Sequence, residues 1–288
     1  MEKLIQYSTK NSLYEGTYNE GYWHAPGMGD LIVTENGRLI AVDGGCPNDA
    51  ESFVELLETE AKGNKPEIDM WIITHSHGDH YGCLREISAN EELAKRICVK
   101  KIVYWFPEEF GADGATSQEI INGNRDMDEI LKRLGAEAYR PSRDERITVD
   151  GMEFHFLYVP DDCSILNKKS WNVNYCSLIF TVQVKNKKAM LTGDAYDRSM
   201  QIVAWRYDKE LKCDILQMPH HGFCDTYCED FYRFVDAQTI LIPLSIGGWR
   251  DMRSEKWYRS KGGTINLTAI ARADKAYLAF EGNIEIEL

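Results

Sequence analysis

The sequence predicts an α/β fold in which layered sheets carry helices on their outer faces. Strand-like and helix-like patterns alternate in both halves of the 288-residue chain, about 1–145 and 146–288. Such alternation is typical of layered α/β architectures rather than of all-β or all-α chains. Hydrophobic residues make up 43% of the chain, which is enough for a full core, and no change of composition marks a linker. We therefore expect a single domain over residues 1–288.

The first half begins with a predicted hairpin, because residues 30–34 and 38–42 flank the turn signal Asn36-Gly37. A continuous apolar run over 68–74 predicts a buried strand. The remaining elements follow from helical periodicity, apolar runs and a stop signal at Gly135. They are helices over 49–61, 84–95 and 117–134 and a strand over 99–105.

The second half opens with a second predicted hairpin, in which residues 146–149 and 153–158 flank Asp150-Gly151. Two further hairpins are expected, one over 177–184 and 189–192 and one that closes the chain over 276–280 and 284–288. Between these hairpins the pattern predicts helices over 197–207 and 225–235 and strands over 214–218 and 239–244.

Charge and composition limit the partners that we expect. The formal net charge is −13, which disfavours nucleic acid because duplex binding depends on neutralised phosphates. Two basic stretches, Lys168-Lys169 and the run from Arg250 to Lys261, are interpreted as solvated loop charge. No apolar run approaches membrane-spanning length and the N-terminus lacks signal-peptide features, so we expect a cytoplasmic protein without membrane contact. The eight cysteines are expected to be free thiols.

Metal-binding residue types gather at three predicted strand ends. His75, His77, Asp79 and His80 follow the strand over 68–74, Asp194 follows the strand over 189–192, and the pair His220-His221 follows the strand over 214–218. Five of the seven histidines lie in these positions. Imidazole and carboxylate together suit Zn²⁺, Fe or Mn. Burying so many ionisable groups without partners would be costly, which favours a metal over coincidence. The two remaining histidines, His24 and His155, are not expected to be ligands.

The motifs resemble those of the metallo-β-lactamase superfamily. The stretch THSHGDHYG resembles its HxHxDH signature, and the segments VDGG, LTGD and PHHG resemble three further motifs in the same order. The segments MGD over 28–30 and NYCSL over 174–178 resemble the branch that contains ComEC-type DNA-uptake proteins and phosphorylcholine esterases. The resemblance covers about residues 28–245.

This resemblance implies a four-layer αββα sandwich with a binuclear metal site. The implied cofactors are two divalent transition metals, zinc first, with manganese or iron as alternatives. The implied ligands are His75, His77, Asp79, His80, Asp194 as a bridge, and His220 or His221. Many relatives have a further histidine where residues 170–177 contain none, and Asn172, Asn174 or Cys176 could replace it. We expect Asp43 and Asn174 to lie directly behind the ligands.

The expected activity is hydrolysis by metal-activated water. We expect Asp79 to orient or deprotonate the water, and the member of the pair His220-His221 that is not a ligand to act as an acid or to stabilise charge. A small phosphodiester is the favoured substrate. The alternatives are an acyl bond in a lactone, lactam or thioester, single-stranded DNA, or a non-catalytic or redox binding role. Trp171, Tyr175, Trp249 and Trp257 are expected near the site. The sequence leaves the oligomeric state open.

Overall fold

Two mixed β-sheets face each other in this protein, whose computed structural model describes residues 1–21, 24–107, 114–160, 172–223 and 227–288. The first sheet has the order β15-β1-β2-β3-β4-β6-β7, with β5 paired to β4. Its strands are β1 (Lys3–Gln6), β2 (Gly29–Val33), β3 (Leu39–Asp43), β4 (Glu67–Ile73), β5 (Cys98–Val99), β6 (Lys101–Tyr104), β7 (Glu137–Tyr139) and β15 (Ile284–Glu287).

The second sheet has the order β14-β13-β12-β11-β10-β9-β8. Its strands are β8 (Arg146–Val149), β9 (Met152–Tyr158), β10 (Ile179–Val184), β11 (Lys187–Leu191), β12 (Ile215–Gln217), β13 (Thr239–Ile242) and β14 (Lys275–Leu278). In each sheet an antiparallel part leads into parallel strands, β3-β4-β6-β7 in the first and β11-β12-β13-β14 in the second. Parallel strands end at one edge of a sheet, and the loops that follow them meet there.

Helices cover the outer face of each sheet. The first sheet carries α1 (Ala50–Glu60), α2 (Gly82–Ala89), α3 (Glu91–Arg96) and α4 (Gly114–Leu134), and the second carries α5 (Asp197–Tyr207), α6 (Glu229–Val235), α7 (Ile246–Met252), α8 (Glu255–Tyr258) and α9 (Lys261–Arg272). A third apolar cluster, which includes Ile72, Phe154 and Phe180, fills the space between the sheets. The predicted four-layer sandwich is confirmed.

One predicted helix, over 84–95, is two helices. Asn90 has extended backbone angles, φ −96° and ψ 106°, which end α2. Its side-chain oxygen then accepts hydrogen bonds from the backbone N–H groups of Glu92 and Leu93 and caps α3. Asparagine favours this capping arrangement over a helix interior.

The predicted closing hairpin is wrong. Strand β14 pairs in parallel with β13 in the second sheet, whereas β15 pairs antiparallel with β1 in the first sheet. Residues 279–283 therefore carry the chain from one sheet to the other. A turn signal between two strand-like runs predicts a hairpin. It contains no information about β1, the true partner of β15, which lies nearly 280 residues earlier in the chain.

The basic run from Arg250 to Lys261 is helical, in contrast to the predicted loop. It lies on α7, on α8 and at the start of α9, and the hydroxyls of Ser245 and Ser260 cap α7 and α9. Glycine pairs near both helix starts argued against helices here. They serve close packing instead, since a Cβ at Gly247 would lie 1.9 Å from the carbonyl oxygen of Gly16.

Strands β1 and β7 were not predicted from the sequence. Helix α6 begins at Glu229, and residues 224–226, at the start of the predicted helix over 225–235, lie outside the described residues. In the parts of the chain that the structure describes, every helix is too short or too polar to cross a membrane.

Candidate metal centre

The metal-binding residue types meet at the edge where the parallel strands end. His75, His77, Asp79 and His80 follow β4 in the first sheet, Asp194 follows β11, and the pair His220-His221 follows β12 in the second sheet. The two sheets also join at this edge, because the Leu178 N–H donates to the Thr74 carbonyl over 3.0 Å. The site is therefore built from both sheets.

Two groups of ligand atoms share Asp194. One group contains Asp79, His80, Asp194 and His221, and the other contains His75, His77 and Asp194, each with its ligand atoms within 4.8 Å of one another. Asp194 Oδ1 lies 3.1 Å from His80 Nε2 and 3.5 Å from His221 Nε2. Asp194 Oδ2 lies 3.9 Å from His75 Nε2. The two carboxylate oxygens thus face different groups.

In three histidines the Nδ1 atom is hydrogen-bonded to another group of the protein. His80 Nδ1 lies 2.8 Å from Asp43 Oδ2, His221 Nδ1 lies 2.6 Å from the Pro243 carbonyl oxygen, and His75 Nδ1 lies 3.1 Å from Thr74 Oγ1. Such outer partners fix the tautomer and the ring orientation of metal-binding histidines. The Nε2 atoms of all three rings are left facing the centre of the site.

His77 is oriented the opposite way. Its Nδ1 lies 3.0 Å from His75 Nε2, while its Nε2 faces outward, 3.7 Å from Glu119 Oε2. Glu119 comes from α4 and is a residue that sequence reasoning missed, because a lone glutamate 42 positions from His77 carries no pattern. The ion pair lowers the pKa of the Glu119 carboxyl.

Three buried polar atoms at the centre have no hydrogen-bond partner among the described residues. They are His80 Nε2, His221 Nε2 and Asp194 Oδ1. Buried polar atoms without partners are rare and costly. Because these atoms converge on one point, and because imidazole with carboxylate suits Zn²⁺, Fe or Mn, the residues present fit a metal ion.

Charges within the site set the protonation of its residues. Burial disfavours the charged ring of His80, but the surrounding carboxylates, chiefly Asp194, outweigh it and raise its pKa well above the usual value. Burial disfavours the Asp194 carboxylate, yet the histidines, chiefly His80, hold its pKa well below the usual value. Burial lowers the pKa of His75. Metals bind an ionised carboxylate and a neutral imidazole, so an ion held by His80 would displace the ring proton.

The pair His220-His221 approaches Asp194 from a strained turn. Both residues have left-handed backbone angles, φ 46° and φ 55°, which are uncommon without glycine. His221 is buried and faces Asp194 Oδ1, whereas the His220 side chain is 18% exposed and its Nε2 lies 3.8 Å from Asp194 Oδ2. The turn thus presents one histidine to each oxygen of the carboxylate.

Asp43 lies behind the histidines rather than among the inward-facing atoms. Its carboxylate accepts hydrogen bonds from the Thr74 N–H and hydroxyl, both at 2.8 Å, and it also contacts His80. Trp71 donates its indole N–H to the Asp43 carbonyl over 2.6 Å. Thr74 is therefore a positioning residue that the sequence did not single out, since a threonine at a strand end is ordinary.

The turn over 172–177 contacts the shared aspartate through a serine. Asn174 is buried, but its Oδ1 has no hydrogen-bond partner among the described residues. Asn172 caps the turn by accepting from the Asn174 N–H. Ser177 contributes instead, because its hydroxyl accepts from the Asp194 N–H over 3.2 Å. The segment thus supports the backbone of the shared aspartate.

The backbone before Asp194 requires a glycine and a buried amide. Gly193 has φ +50°, and a Cβ there would lie 2.6 Å from Thr74 Oγ1. Gln217 Oε1 accepts from the N–H groups of Thr192 and Gly193 at 2.9 and 3.0 Å. Gln217 was not predicted, although its place at the end of a buried strand, next to PHHG, was a usable signal.

The other expected site residues have mixed outcomes. Tyr175 and Trp257 belong to a row of rings beside the site, whereas Trp249 lies under the Arg253 guanidinium at 5.7 Å. Trp171, Lys168 and Lys169 lie outside the described residues, as do Cys163 and Cys224. His155 is 3.6 Å from Asp144 and is remote from the cluster, and His24 packs on Tyr14. Cys46, Cys83, Cys98, Cys213 and Cys228 are free thiols.

A family model and a curated relative each match part of this chain. Residues 31–160 match the family model of the metallo-beta-lactamase superfamily. ComE operon protein 3 of Bacillus subtilis is 25% identical over 184 residues, which covers 63% of this chain and 20% of that relative. The chain therefore corresponds to about a fifth of that protein's length.

Solved structures match the whole chain. Zn(2+)-bound PqqB from Methylobacterium extorquens has a TM-score of 0.58 at 10% identity and full coverage of both chains. The metallo-beta-lactamase fold protein YhfI from Bacillus subtilis has a TM-score of 0.56 at 12% identity, covering 99% of each chain. CmlA, a diiron beta-hydroxylase from Streptomyces venezuelae, has a TM-score of 0.51 at 12% identity, covering 99% of this chain and 54% of its own. These similarities confirm the predicted fold.

Asn266 on α9 holds the turn that carries the histidine pair, and it generates a prediction. Its fully buried side-chain amide donates to the carbonyl oxygens of Gly222 and Phe223 at 3.0 and 2.8 Å. Asn266→Asp keeps the shape but replaces both donors with an oxygen. We expect it to lower the free energy of unfolding by about 2–3 kcal/mol, because buried carbonyl groups lose their partners.

Chemical unfolding and the metal content of the purified protein measure this effect. Asn122→Asp is the matched control, because the Asn122 side-chain oxygen accepts a hydrogen bond from Gln118 and a carboxylate still can. If Asn266→Asp unfolds like the wild type and keeps its metal content, Asn266 does not support the turn.

Proposed function

Because this chain has the metallo-beta-lactamase fold and matches that superfamily's model over residues 31–160, we propose that it is a hydrolase with a binuclear metal centre, acting on a small phosphodiester. The position of Asp194 is the main support for this proposal, because its two carboxylate oxygens face two separate groups of ligand atoms. A carboxylate so placed suits a bridge between two cations.

Each proposed metal position takes residues from both sheets. Asp79, His80 and His221 would hold one ion with Asp194 Oδ1. His75 and His77 would hold the other with Asp194 Oδ2. We assign His220 to this second position, since its Nε2 lies 3.8 Å from the same oxygen and since the turn over 172–177 offers no histidine. His220 would then replace the ligand that many relatives supply from that segment.

Zinc is the first candidate metal, and manganese or iron also suit the donor set. PqqB was solved with zinc, and CmlA is described as a diiron enzyme, so proteins of this fold hold either metal. Two such ions supply an acidified water and positive charge for the developing negative charge of the reaction. The fold does not decide the reaction, which depends on the site.

Within the protein, Asp79 is suited to orient the attacking water. Its side chain is 15% exposed and its Oδ2 lies 3.5 Å from His221 Nε2. Burial disfavours its charged form, but His80 and His221 hold the pKa of the carboxyl below its usual range. Asp79 is therefore ionised at neutral pH and can accept a hydrogen bond from water at the open side of the site.

A small phosphodiester fits this site better than the alternatives. Paired cations can hold both the attacking and the leaving oxygen of a phosphodiester. The net charge of −13 repels long polyanions, which disfavours DNA as the substrate. We give this charge more weight than the resemblance to the DNA-uptake branch and to ComE operon protein 3 of Bacillus subtilis. Acyl-bond hydrolysis and DNA cleavage are outcomes that the substrate test below distinguishes.

Metal content tests the bridging role of Asp194. We expect elemental analysis of gently purified wild-type protein to give up to two transition-metal ions per chain. Asp194→Ala should lose at least one ion and lower turnover by roughly 100-fold or more, since even the outer partners of metal ligands contribute about 10–100-fold. The control Asp230→Ala removes an exposed carboxylate that pairs with Arg233 and should change neither. Wild-type metal content and turnover in Asp194→Ala would contradict the bridge.

The two histidines of the pair should have separable effects. His221→Ala should remove the ion shared with Asp79 and His80, because its Nε2 is buried among those ligand atoms. His220→Ala should lower occupancy of the position held by His75 and His77. Metal titration followed by cobalt absorption spectra can assign each loss to one position. A His220→Ala protein that binds two ions normally but has lost turnover would instead make His220 a proton donor or an electrostatic group.

A substrate panel tests the reaction class. With metal-loaded protein we expect hydrolysis of bis(4-nitrophenyl) phosphate and little turnover of lactones or lactams. Single-stranded DNA at low salt should inhibit weakly, because the charge of −13 repels it. Strong inhibition by DNA that disappears as salt is added would favour the nuclease alternative. Preferential lactone or lactam turnover would favour acyl chemistry.

A further inference from the structure

Six aromatic rings form a continuous row beside the candidate metal centre, and we call them the aromatic row. Neighbouring ring centroids are 5.1, 5.2, 5.4, 5.7 and 6.4 Å apart. In order, the rings belong to Tyr175, Tyr196, His220, Phe223, Trp257 and Tyr18. Because His220 lies within the row and its Nε2 is 3.8 Å from Asp194, the row passes directly along the reacting centre.

The row joins segments that are distant in the sequence. Tyr175 belongs to the turn over 172–177, Trp257 to α8, and Tyr18 to the segment before β2. Phe223 is buried against the core of the second sheet, whereas Trp257 is half-buried and Tyr18 is 56% exposed. The row thus rests on the core at its middle and becomes open to solvent at its Trp257–Tyr18 end.

A buried carboxylate fixes this outer end. Asp251 on α7 is 2% exposed, and its two oxygens accept from the Tyr18 N–H and from the Asn19 side-chain amide, each at 2.5 Å. The Gly247 N–H also donates to the Tyr14 carbonyl over 2.9 Å. These bonds hold the Tyr18 ring beside Trp257, so the outer end is a built surface rather than the tip of a free loop.

Positive charge lies beside the same end. Lys256 Nζ donates to the neutral Asn19 side-chain oxygen over 3.1 Å, and the Arg253 guanidinium stands over Trp249. Among the described residues, neither Lys256 nor Arg253 has a carboxylate within 4.0 Å, although the chain carries a net charge of −13. The Asp251 carboxylate on the same segment is buried and accepts hydrogen bonds from Tyr18 and Asn19. An exposed aromatic surface with neighbouring cations suits a flat ring attached to an anionic group.

Resting on the proposed function, we infer that the substrate is a phosphodiester that carries a flat aromatic ring, such as a nucleobase, and that this ring stacks against Trp257. The Tyr18 ring, which is inclined at 89° to Trp257, then contacts the edge of the bound ring. The phosphodiester then reaches the site beside His220 while Lys256 attracts the anion. A quaternary ammonium group is disfavoured, because Lys256 and Arg253 repel a cation and because the rings lie in a row instead of enclosing one point.

Three esters with the same chromogenic leaving group test this inference on metal-loaded protein. They are thymidine 5′-(4-nitrophenyl phosphate), methyl 4-nitrophenyl phosphate and 4-nitrophenyl phosphorylcholine. We expect kcat/KM to be highest for the thymidine ester and lowest for the choline ester. Trp257→Leu should lower the preference for the thymidine ester over the methyl ester by about tenfold, mainly through KM, because stacking on one aromatic side chain is lost. Trp257→Phe should keep most of this preference.

Trp205→Leu is the matched control, because Trp205 lies on α5 and is 70% exposed. It should leave the preference unchanged. Equal losses on the thymidine and methyl esters in Trp257→Leu would mean that Trp257 only supports the fold and would overturn the inference. A preference for the choline ester would overturn it as well.

Binding separates this inference from the proposed reaction. Calorimetry on the metal-loaded protein compares adenosine 5′-monophosphate with phosphocholine. If no ester is hydrolysed but the nucleotide binds more tightly than phosphocholine, and Trp257→Leu removes this difference, the ring subsite stands and the proposed reaction fails. If the nucleotide binds no more tightly than phosphocholine, the inference fails even where hydrolysis is observed.

Discussion

The close approach of the two sheets at one edge is the constraint on which the rest of the site depends. Thr74 follows β4 in the first sheet and Gly193 follows β11 in the second. The two residues are so close that a Cβ on Gly193 would lie 2.6 Å from Thr74 Oγ1. The histidines of the first sheet and Asp194 of the second can share ligand positions only because of this contact. Packing between the sheets, through residues such as Phe180, therefore sets the ligand distances.

The same contact concentrates charge that the protein does not neutralise by itself. Asp43 and Asp194 are buried within a few Å of His80, and inward-facing atoms of His80, His221 and Asp194 have no hydrogen-bond partner among the described residues. A cation would satisfy these atoms together, whereas a mutation that removes one of these side chains leaves the others buried and unpaired. Metal affinity and fold stability are consequently linked at this edge.

Local patterns predicted most of the elements and the clustering of the metal-binding residue types, because strand ends and the HxHxDH spacing lie within short segments. Long-range features could not be predicted. The partner of β15 is β1 at the other end of the chain, and Asn266 supports the histidine turn from 44 positions away. The helices over 246–272 were missed because glycines that permit close packing, such as Gly247, look like helix breakers.

The described geometry also separates the chemistry from the selection of substrate. The inward-facing ligand atoms come from motifs between residues 75 and 221, which the superfamily resemblance covers. The residues that support and border the site, Asp251, Trp257 and Asn266, come from the segment beyond about residue 245, where the resemblance weakens. Substrate preference can change through such peripheral segments while the rigid strand ends keep the metal ligands in place. Trp257 and Tyr18, which form the proposed ring subsite, both lie outside the part of the chain that the family motifs cover.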